Sequence, residues 1–237
     1  MKHTSKLVVT VLVLLVLGIS QAAFADSFST AGATGACGGG SAASISGNGG
    51  AAVNAGASIV YSNNTISVTL TNCLVNPTSI SQNISDVFFT IAGASATGGQ
   101  IASNSTSLVS VASDGTATLS TGSVTWNLIM SGDSFHLTDL IGNSPTTPTE
   151  TIIGAPDGSG LYSNANGSIA GNGPHNPFVN QTATWTIACV GCSGDISDVT
   201  ISFGTTPSTA VPEPASMLLL GSGLSALGLF GRRKFRK

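Results

Sequence analysis

The chain has 237 residues and a formal net charge of −3, but its charges are unevenly distributed. All seven Lys and Arg residues lie near the two ends, whereas residues 26–210 contain none and hold nine of the ten acidic residues. A segment without cations cannot neutralise phosphates, so nucleic-acid binding and a Walker-type nucleotide site are excluded for it.

The N-terminus has the pattern of a secretory signal peptide. Lys2 and Lys6 precede the thirteen-residue run "LVVTVLVLLVLGI", and Ala23 and Ala25 follow it in the A-x-A spacing of a cleavage site. The run is too short to span a bilayer core, which argues against the alternative of an uncleaved anchor. We predict a signal peptide over residues 1–25, export by the secretion machinery, cleavage by signal peptidase and a mature protein that begins near Asp26.

Residues 26–210 are predicted to form one acidic, β-rich domain. Apolar and polar residues alternate in "TISVTLTN", "DVFFTIAG", "SVTWNLIM", "QTATWTIACV" and "SDVTISFGT". The "SNNT" between "ASIVY" and "ISVTL" predicts a hairpin turn. Thr-rich faces opposite apolar faces are typical of antiparallel sheets with one solvated side. The pattern predicts an all-β fold, an antiparallel β-sandwich, with a jelly roll or a barrel as the alternative.

Two segments rich in glycine and small polar residues are predicted to be loops. Residues 32–52 are rich in Gly, Ser and Ala, and residues 141–178 contain five prolines. A loop as long as the second is often a binding surface, and a surface excursion without a ligand is the alternative. Calcium held by Asp and Asn oxygens stays open as a ligand, although the sequence identifies no ligand set. No other cofactor and no metal ligand are predicted.

The four cysteines are predicted to form disulfides, because an even number in an exported chain is typical of oxidised pairs. We favour Cys37 with Cys73, and Cys189 with Cys192 in "CVGC". The other two connectivities remain open, and a zinc site is the rival reading of the C-x-x-C spacing.

No catalytic motif is found, and we predict that the protein is not an enzyme. There is no G-x-S-x-G nucleophile elbow in the sequence. His136 lies close in sequence to Asp133 and Asp139, a grouping that a secreted hydrolase would use. A strand edge between polar turns explains these residues more simply.

The C-terminus, "VPEPASMLLLGSGLSALGLFGRRKFRK", has three parts in order. Pro212 and Pro214 enforce an extended segment. Residues 215–231 carry no charge and as a helix would reach about 25 Å, enough to cross a thin bilayer core. A basic tail follows that would stay in the cytoplasm, composed of Arg232, Arg233, Lys234, Arg236 and Lys237. This predicts one short transmembrane helix that holds the exported domain at the membrane.

These 27 residues resemble the PEP-CTERM sorting signal: a V-P-E-P box, a short hydrophobic helix and an Arg-rich tail. The resemblance implies recognition by exosortase, a membrane-embedded protease or transpeptidase of Gram-negative, exopolysaccharide-producing bacteria. It implies that Val211, Pro212, Glu213 and Pro214 are a processing signal, over residues 211–237. The stretch "GPHNPFVNQTATWTIACV" with "DVTISFGT" is also similar to a set of PEP-CTERM proteins without an assigned function.

Together these patterns predict an exported protein with a structural or adhesive role in the envelope or biofilm matrix. It would be transiently anchored in the membrane and then reside in the envelope, at the surface or in the matrix, with exopolysaccharide as a further partner. A carbohydrate-binding β-sandwich that uses residues 141–178, with or without calcium, is the alternative. A secreted hydrolase is a third hypothesis.

Overall fold

The computed structural model describes residues 24–34, 37–62, 64–94, 101–103, 105–124, 126–140, 148–189, 192 and 194–205. The chain divides into two compact units, Met1–Pro207 and Ser208–Lys237, and the described residues all belong to the first. Residues 1–23 and the whole predicted sorting signal lie outside them. In the part of the chain that is described, no helix is long and apolar enough to span a membrane.

The described residues are mostly β-strand, and a 3-10 turn covers Ile80–Gln82. The strands are β1 (Phe24–Ser29), β2 (Ser41–Ala42), β3 (Ser44–Ser46), β4 (Ala55–Ser62), β5 (Thr65–Asn72), β6 (Ile84–Ile91), β7 (Ile101–Ser103), β8 (Ser105–Val111), β9 (Ala117–Ser123), β10 (Asn127–Ser131), β11 (Ser134–Thr138), β12 (Ile152–Ile153), β13 (Phe178–Asn180), β14 (Thr182–Ala188) and β15 (Ile196–Phe203). The predicted all-β class is confirmed.

The strands form two sheets. Sheet A has the order β2-β1-β4-β5-β14-β7. Sheet B has the order β10-β11-β6-β12-β13-β8-β9, with β15 paired to β6 and β3 paired to β15. Three pairs are parallel, namely β1 with β2, β12 with β13, and β15 with β3. The sheets are therefore mixed, and the predicted antiparallel pairing is wrong for these three pairs.

The centre of sheet A follows directly from the sequence pattern. β4 and β5 form the predicted hairpin, with Ser62 opposite Thr65. Asn64 supplies the left-handed turn conformation at φ 61, which Asn tolerates better than most residues. On β14, Ala183, Trp185 and Ile187 are buried, while the intervening threonines lie on the outer face.

One hydrophobic cluster, the main core, contains buried residues from both sheets. Sheet A contributes Ile59, Val68 and Trp185, and sheet B contributes Phe89 and Ile201. The indoles of Trp126 and Trp185 pack at 4.5 Å between ring centroids, and Phe89 stacks on Phe135 at 5.1 Å. Burial of these side chains is the main source of stability for the fold.

The chain passes from one sheet to the other between β13 and β14 and between β7 and β8. β13 belongs to sheet B, and β14, one residue later, belongs to sheet A. Gln181 between them has φ 63, so the chain bends sharply there. The passage from β7 to β8 runs from sheet A to sheet B: β7 pairs with β14 in sheet A, and β8 pairs with β13 in sheet B.

The Gly/Ser-rich segment that was predicted to be a loop contains β2 and β3. β2 extends the edge of sheet A, and β3 pairs with β15 in sheet B. Between the two strands, Ala43 is buried in the main core. Strands this short have no detectable sequence period, and their pairing partners decide where they form.

Candidate functional site

The outer face of sheet A is a ladder of hydroxyl groups. Thr69 lies opposite Ser58 on β4 and Thr184 on β14, and the Thr69 and Thr184 Oγ1 atoms are 2.8 Å apart. In the next row, Thr182 Oγ1 donates a hydrogen bond to Thr71 Oγ1 at 3.2 Å. The outward positions of β4, β5 and β14 carry no charged side chain. This face therefore offers neutral hydrogen-bonding groups to a partner.

A cleft of about 130 Å³ opens on this hydroxyl face. Its floor includes side chains of β1, β4 and β5, and one wall is the chain around Cys37. This wall packs on Gly56, where an added Cβ would lie 3.4 Å from the Cys37 Cα. The lining residues are Ser27, Phe28, Cys37, Gly38, Gly39, Gly56, Ala57, Ser58, Thr69 and Thr71.

The cysteines form the two pairs that the sequence analysis favoured. Cys37 is bonded to Cys73 with a Cα–Cα distance of 6.1 Å, and Cys189 to Cys192 with 5.8 Å. The first bond ties the wall of the cleft to the end of β5. The zinc alternative is wrong for these residues, because no free thiol is left as a ligand.

The hydrolase hypothesis grouped His136 with Asp133 and Asp139, but the structure places His136 beside Asp86. His136 Nε2 lies 3.4 Å from Asp86 Oδ2, longer than a well-formed hydrogen bond. Asp86 is fully buried on β6, and its β15 neighbour Ser202 shares a hydrogen bond with Ser46 at 3.0 Å. The contact arises because β11 pairs with β6, a juxtaposition that sequence spacing does not reveal.

Asp139 has a structural partner of its own. Its Oδ2 accepts the backbone N–H of Glu150 at 3.0 Å, and its own N–H donates to the Ser85 carbonyl at 3.0 Å. Burial raises the pKa of the Asp139 carboxyl to about 7, against the effect of the Glu150 N–H, and the charge of Glu150 raises it further. This carboxyl therefore titrates near neutral pH while it joins the end of β11 to residue 150.

Residues 148–178 of the predicted loop are anchored by contacts with one another and with β8. Tyr162 and Ile169 are buried in a second, small cluster with Val109, Val111, Ile153 and Phe178. The Tyr162 hydroxyl donates to the Gly154 carbonyl at 2.9 Å. Burial raises the pKa of this phenol to about 12. Residues 141–147 lie outside the described part of the chain.

Asp157, within the predicted loop, closes a turn. It accepts hydrogen bonds from the Ser163 hydroxyl at 2.6 Å and from the N–H groups of Ser159 and Leu161. The Ser163 bond and these backbone bonds lower the pKa of its carboxyl. Among the described residues, no three His, Cys, Asp or Glu side chains come together as a metal site would need. Calcium binding stays the open alternative that the sequence left.

The predicted processing residues divide between described and undescribed parts of the chain. Ala25 lies in β1 opposite Val60, so cleavage after Ala25 would leave β1 with four of its six residues. Ala23, the box Val211, Pro212, Glu213 and Pro214, and the basic tail lie outside the described residues. Their positions stay predictions from the sequence.

The comparisons with known proteins address this C-terminal segment. A family model described as the PEP-CTERM protein-sorting motif matches residues 210–237. The predicted resemblance is confirmed: this chain carries a PEP-CTERM sorting motif. The motif indicates an exported protein that is targeted to exosortase and to the envelope or surface of a Gram-negative bacterium. No curated protein and no solved structure matches the chain.

Proposed function

We propose that this protein is a non-catalytic structural or adhesive component of the envelope or biofilm matrix. The observation that carries the proposal is the sorting motif at residues 210–237. In this proposal signal peptidase removes residues 1–25, residues 211–237 hold the chain at the membrane, and exosortase cleaves near Pro212–Pro214. Residues 26–210 are then released or attached outside the cell. The two sheets would form a sandwich, which their shared core supports.

The hydrogen bonds that the carboxylates accept support a structural role for residues 26–210. Asp114, Asp139 and Asp157 each accept backbone hydrogen bonds within turns or loops. A carboxylate that closes a turn stabilises the local chain and leaves less acceptor capacity for a substrate. We therefore assign these acids to the architecture of the domain.

Sorting is tested by mass spectrometry of the exported protein from its native host. The wild-type protein should lack residues 215–237, because exosortase cuts near the box. A Pro212→Ala/Glu213→Ala/Pro214→Ala variant should keep its C-terminus through Lys237. A matched Ser208→Ala/Thr209→Ala variant should be processed normally. An intact wild-type C-terminus would contradict exosortase processing and leave a membrane-anchored domain.

The non-catalytic role is tested by complementation of a deletion strain. A His136→Ala/Asp139→Asn variant should restore the cohesion of the matrix as well as the wild type, since no proton transfer is required. Circular dichroism of the purified variant checks that it is folded. A folded variant that fails to complement would contradict the structural role and favour a hydrolase.

A second candidate function, binding of a neutral glycan, is favoured by the hydroxyl-lined cleft. The uncharged hydroxyls of a sugar could hydrogen-bond to the uncharged Ser and Thr side chains that line the cleft. This site differs from the carbohydrate-binding loop over residues 141–178 that the sequence suggested. A glycan array should then show binding that Thr69→Val weakens. Thr186→Val, on the same face but outside the cleft lining, should not. Addition of a chelator distinguishes calcium-dependent from calcium-independent binding. An array without any bound glycan would eliminate this candidate.

A further inference from the structure

The longest edge strand among the described residues is β9, and it is open to solvent. β9 has seven residues and pairs with β8 over all of them, from Ser105 opposite Ser123 to Val111 opposite Ala117. The register contains no shift, so no bulge interrupts this edge. The side chains at positions 118–121 are exposed on both faces, with Leu119 at 65%.

β9 lacks the features that usually protect an exposed edge. Natural edge strands are shielded by Lys, Pro, bulges or great shortness. The sequence of β9, "ATLSTGS", contains no charge and no proline, and residues 26–210 contain no Lys or Arg at all. The other edge strands are shorter: β2 has two residues, β3 and β7 three each, and β10 five. β9 therefore offers the longest row of backbone N–H and C=O groups to a partner strand.

We propose that β9 is a self-association edge that pairs antiparallel with β9 of a second copy of this chain. A symmetric dimer places the same strand on both sides, so an uncharged strand is complementary to itself. With the two-fold axis at Ser120, Leu119 lies opposite the partner's Thr121, and their apolar atoms share one face. The pairing extends sheet B across two molecules. This inference stands on β9 and does not depend on the sorting route.

The net charge of residues 26–210 predicts how salt affects this dimer. Nine acids and no Lys or Arg between residues 26 and 210 give each copy a formal charge of −9 with neutral histidines. Like charges oppose association at low ionic strength, and salt screens them. Dimerisation should therefore strengthen as sodium chloride rises from about 0.02 to 0.5 M, over which the screening length shortens severalfold.

The test is sedimentation of the exported protein, purified from producing cells, over a range of concentrations. The wild type should be a dimer, and Leu119→Lys/Thr121→Lys should be monomeric, because the two-fold axis sets lysine opposite lysine. We expect a rise of at least about tenfold in the dimer dissociation constant. The control Ala31→Lys/Asn164→Lys adds the same charge at exposed positions outside β9 and should dimerise like the wild type.

A charge-reversal experiment separates edge pairing from misfolding. Leu119→Glu/Thr121→Glu should also be monomeric alone, whereas an equimolar mixture with the double-lysine variant should form a heterodimer. In the wild type, hydrogen exchange of the β9 amides should slow as the protein concentration rises. A monomeric wild type, a double-lysine variant that dimerises as well as its control, or concentration-independent exchange in β9 would each overturn the proposal.

Discussion

The main core and the small cluster are two hydrophobic regions built in different ways. The main core takes alternate residues from long, regularly paired strands of both sheets. The small cluster takes Tyr162 and Ile169 from an irregular segment and packs them on β8, β12 and β13. Regular pairing repeats one residue pattern along each strand, whereas the irregular segment depends on individual hydrogen bonds. The two regions should therefore respond differently to mutation.

The largest effect is expected in the main core. Trp185→Ala removes an indole that is 1% exposed and packs against Trp126. The free energy of unfolding should fall by about 3–5 kcal/mol, as for other buried aromatic truncations. Urea denaturation measures it, with Thr186→Ala on the outer face as the control, where a change below about 1 kcal/mol is expected. Equal losses for both variants would mean that Trp185 is not central to the core.

A truncation in the small cluster should act locally. Ile169→Ala empties a fully buried site, and a loss of about 2–4 kcal/mol is typical of such a change. Hydrogen exchange should accelerate across residues 154–177, while β4, β5 and β14 keep their protection. Asn164→Ala, at an exposed position of the same segment, is the control. Uniform acceleration over both regions would show that the two clusters unfold as one unit.

The carboxyl of Asp139 makes the stability depend on pH. Its pKa is about 7 when folded and near 3.8 when unfolded, so the folded state keeps a proton that the unfolded state loses. The stabilisation is complete below about pH 4, declines as pH rises and is absent above about pH 7. Asp139→Asn keeps an acceptor for the Glu150 N–H and should be more stable than the wild type by up to about 4 kcal/mol at pH 8.

Denaturation curves between pH 4 and pH 8 measure this difference. The gap between Asp139→Asn and the wild type should widen from pH 4 to pH 7 and then stay constant. Asp133→Asn, at an exposed position in the β10–β11 turn, should show a much smaller gap. A gap that is constant from pH 4 to pH 8 would contradict the raised pKa.

The smallest effect is expected for a single hydrogen bond of the small cluster. Tyr162→Phe removes the hydroxyl that donates to the Gly154 carbonyl and keeps the ring. A loss of about 1 kcal/mol is expected for one buried hydrogen bond. It should appear in the exchange of the neighbouring segment before it appears in the global unfolding curve. A loss as large as that of Ile169→Ala would show that the hydrogen bond, and not apolar burial, holds this region.

The sequence predicted the long strands of the main core but not the short strands or the small cluster. The β4–β5 hairpin and the buried Val199, Ile201 and Phe203 of β15 were predicted from alternation. β2 and β3 were missed because two or three residues cannot display a period. The small cluster was missed because the apolar residues of residues 148–178 follow neither a strand nor a helix spacing.

The sequence by itself determined the export pattern, the sorting motif, the β class and the faces of the long strands. These properties depend on contiguous residues, since a sorting signal is local in the chain and strand alternation repeats every two residues. Only the tertiary structure decided that His136 contacts Asp86, that the Cys37 segment walls a cleft, and that β9 lies at an open edge. Those features join residues distant in sequence, and strand pairing, which composition does not encode, brings them together.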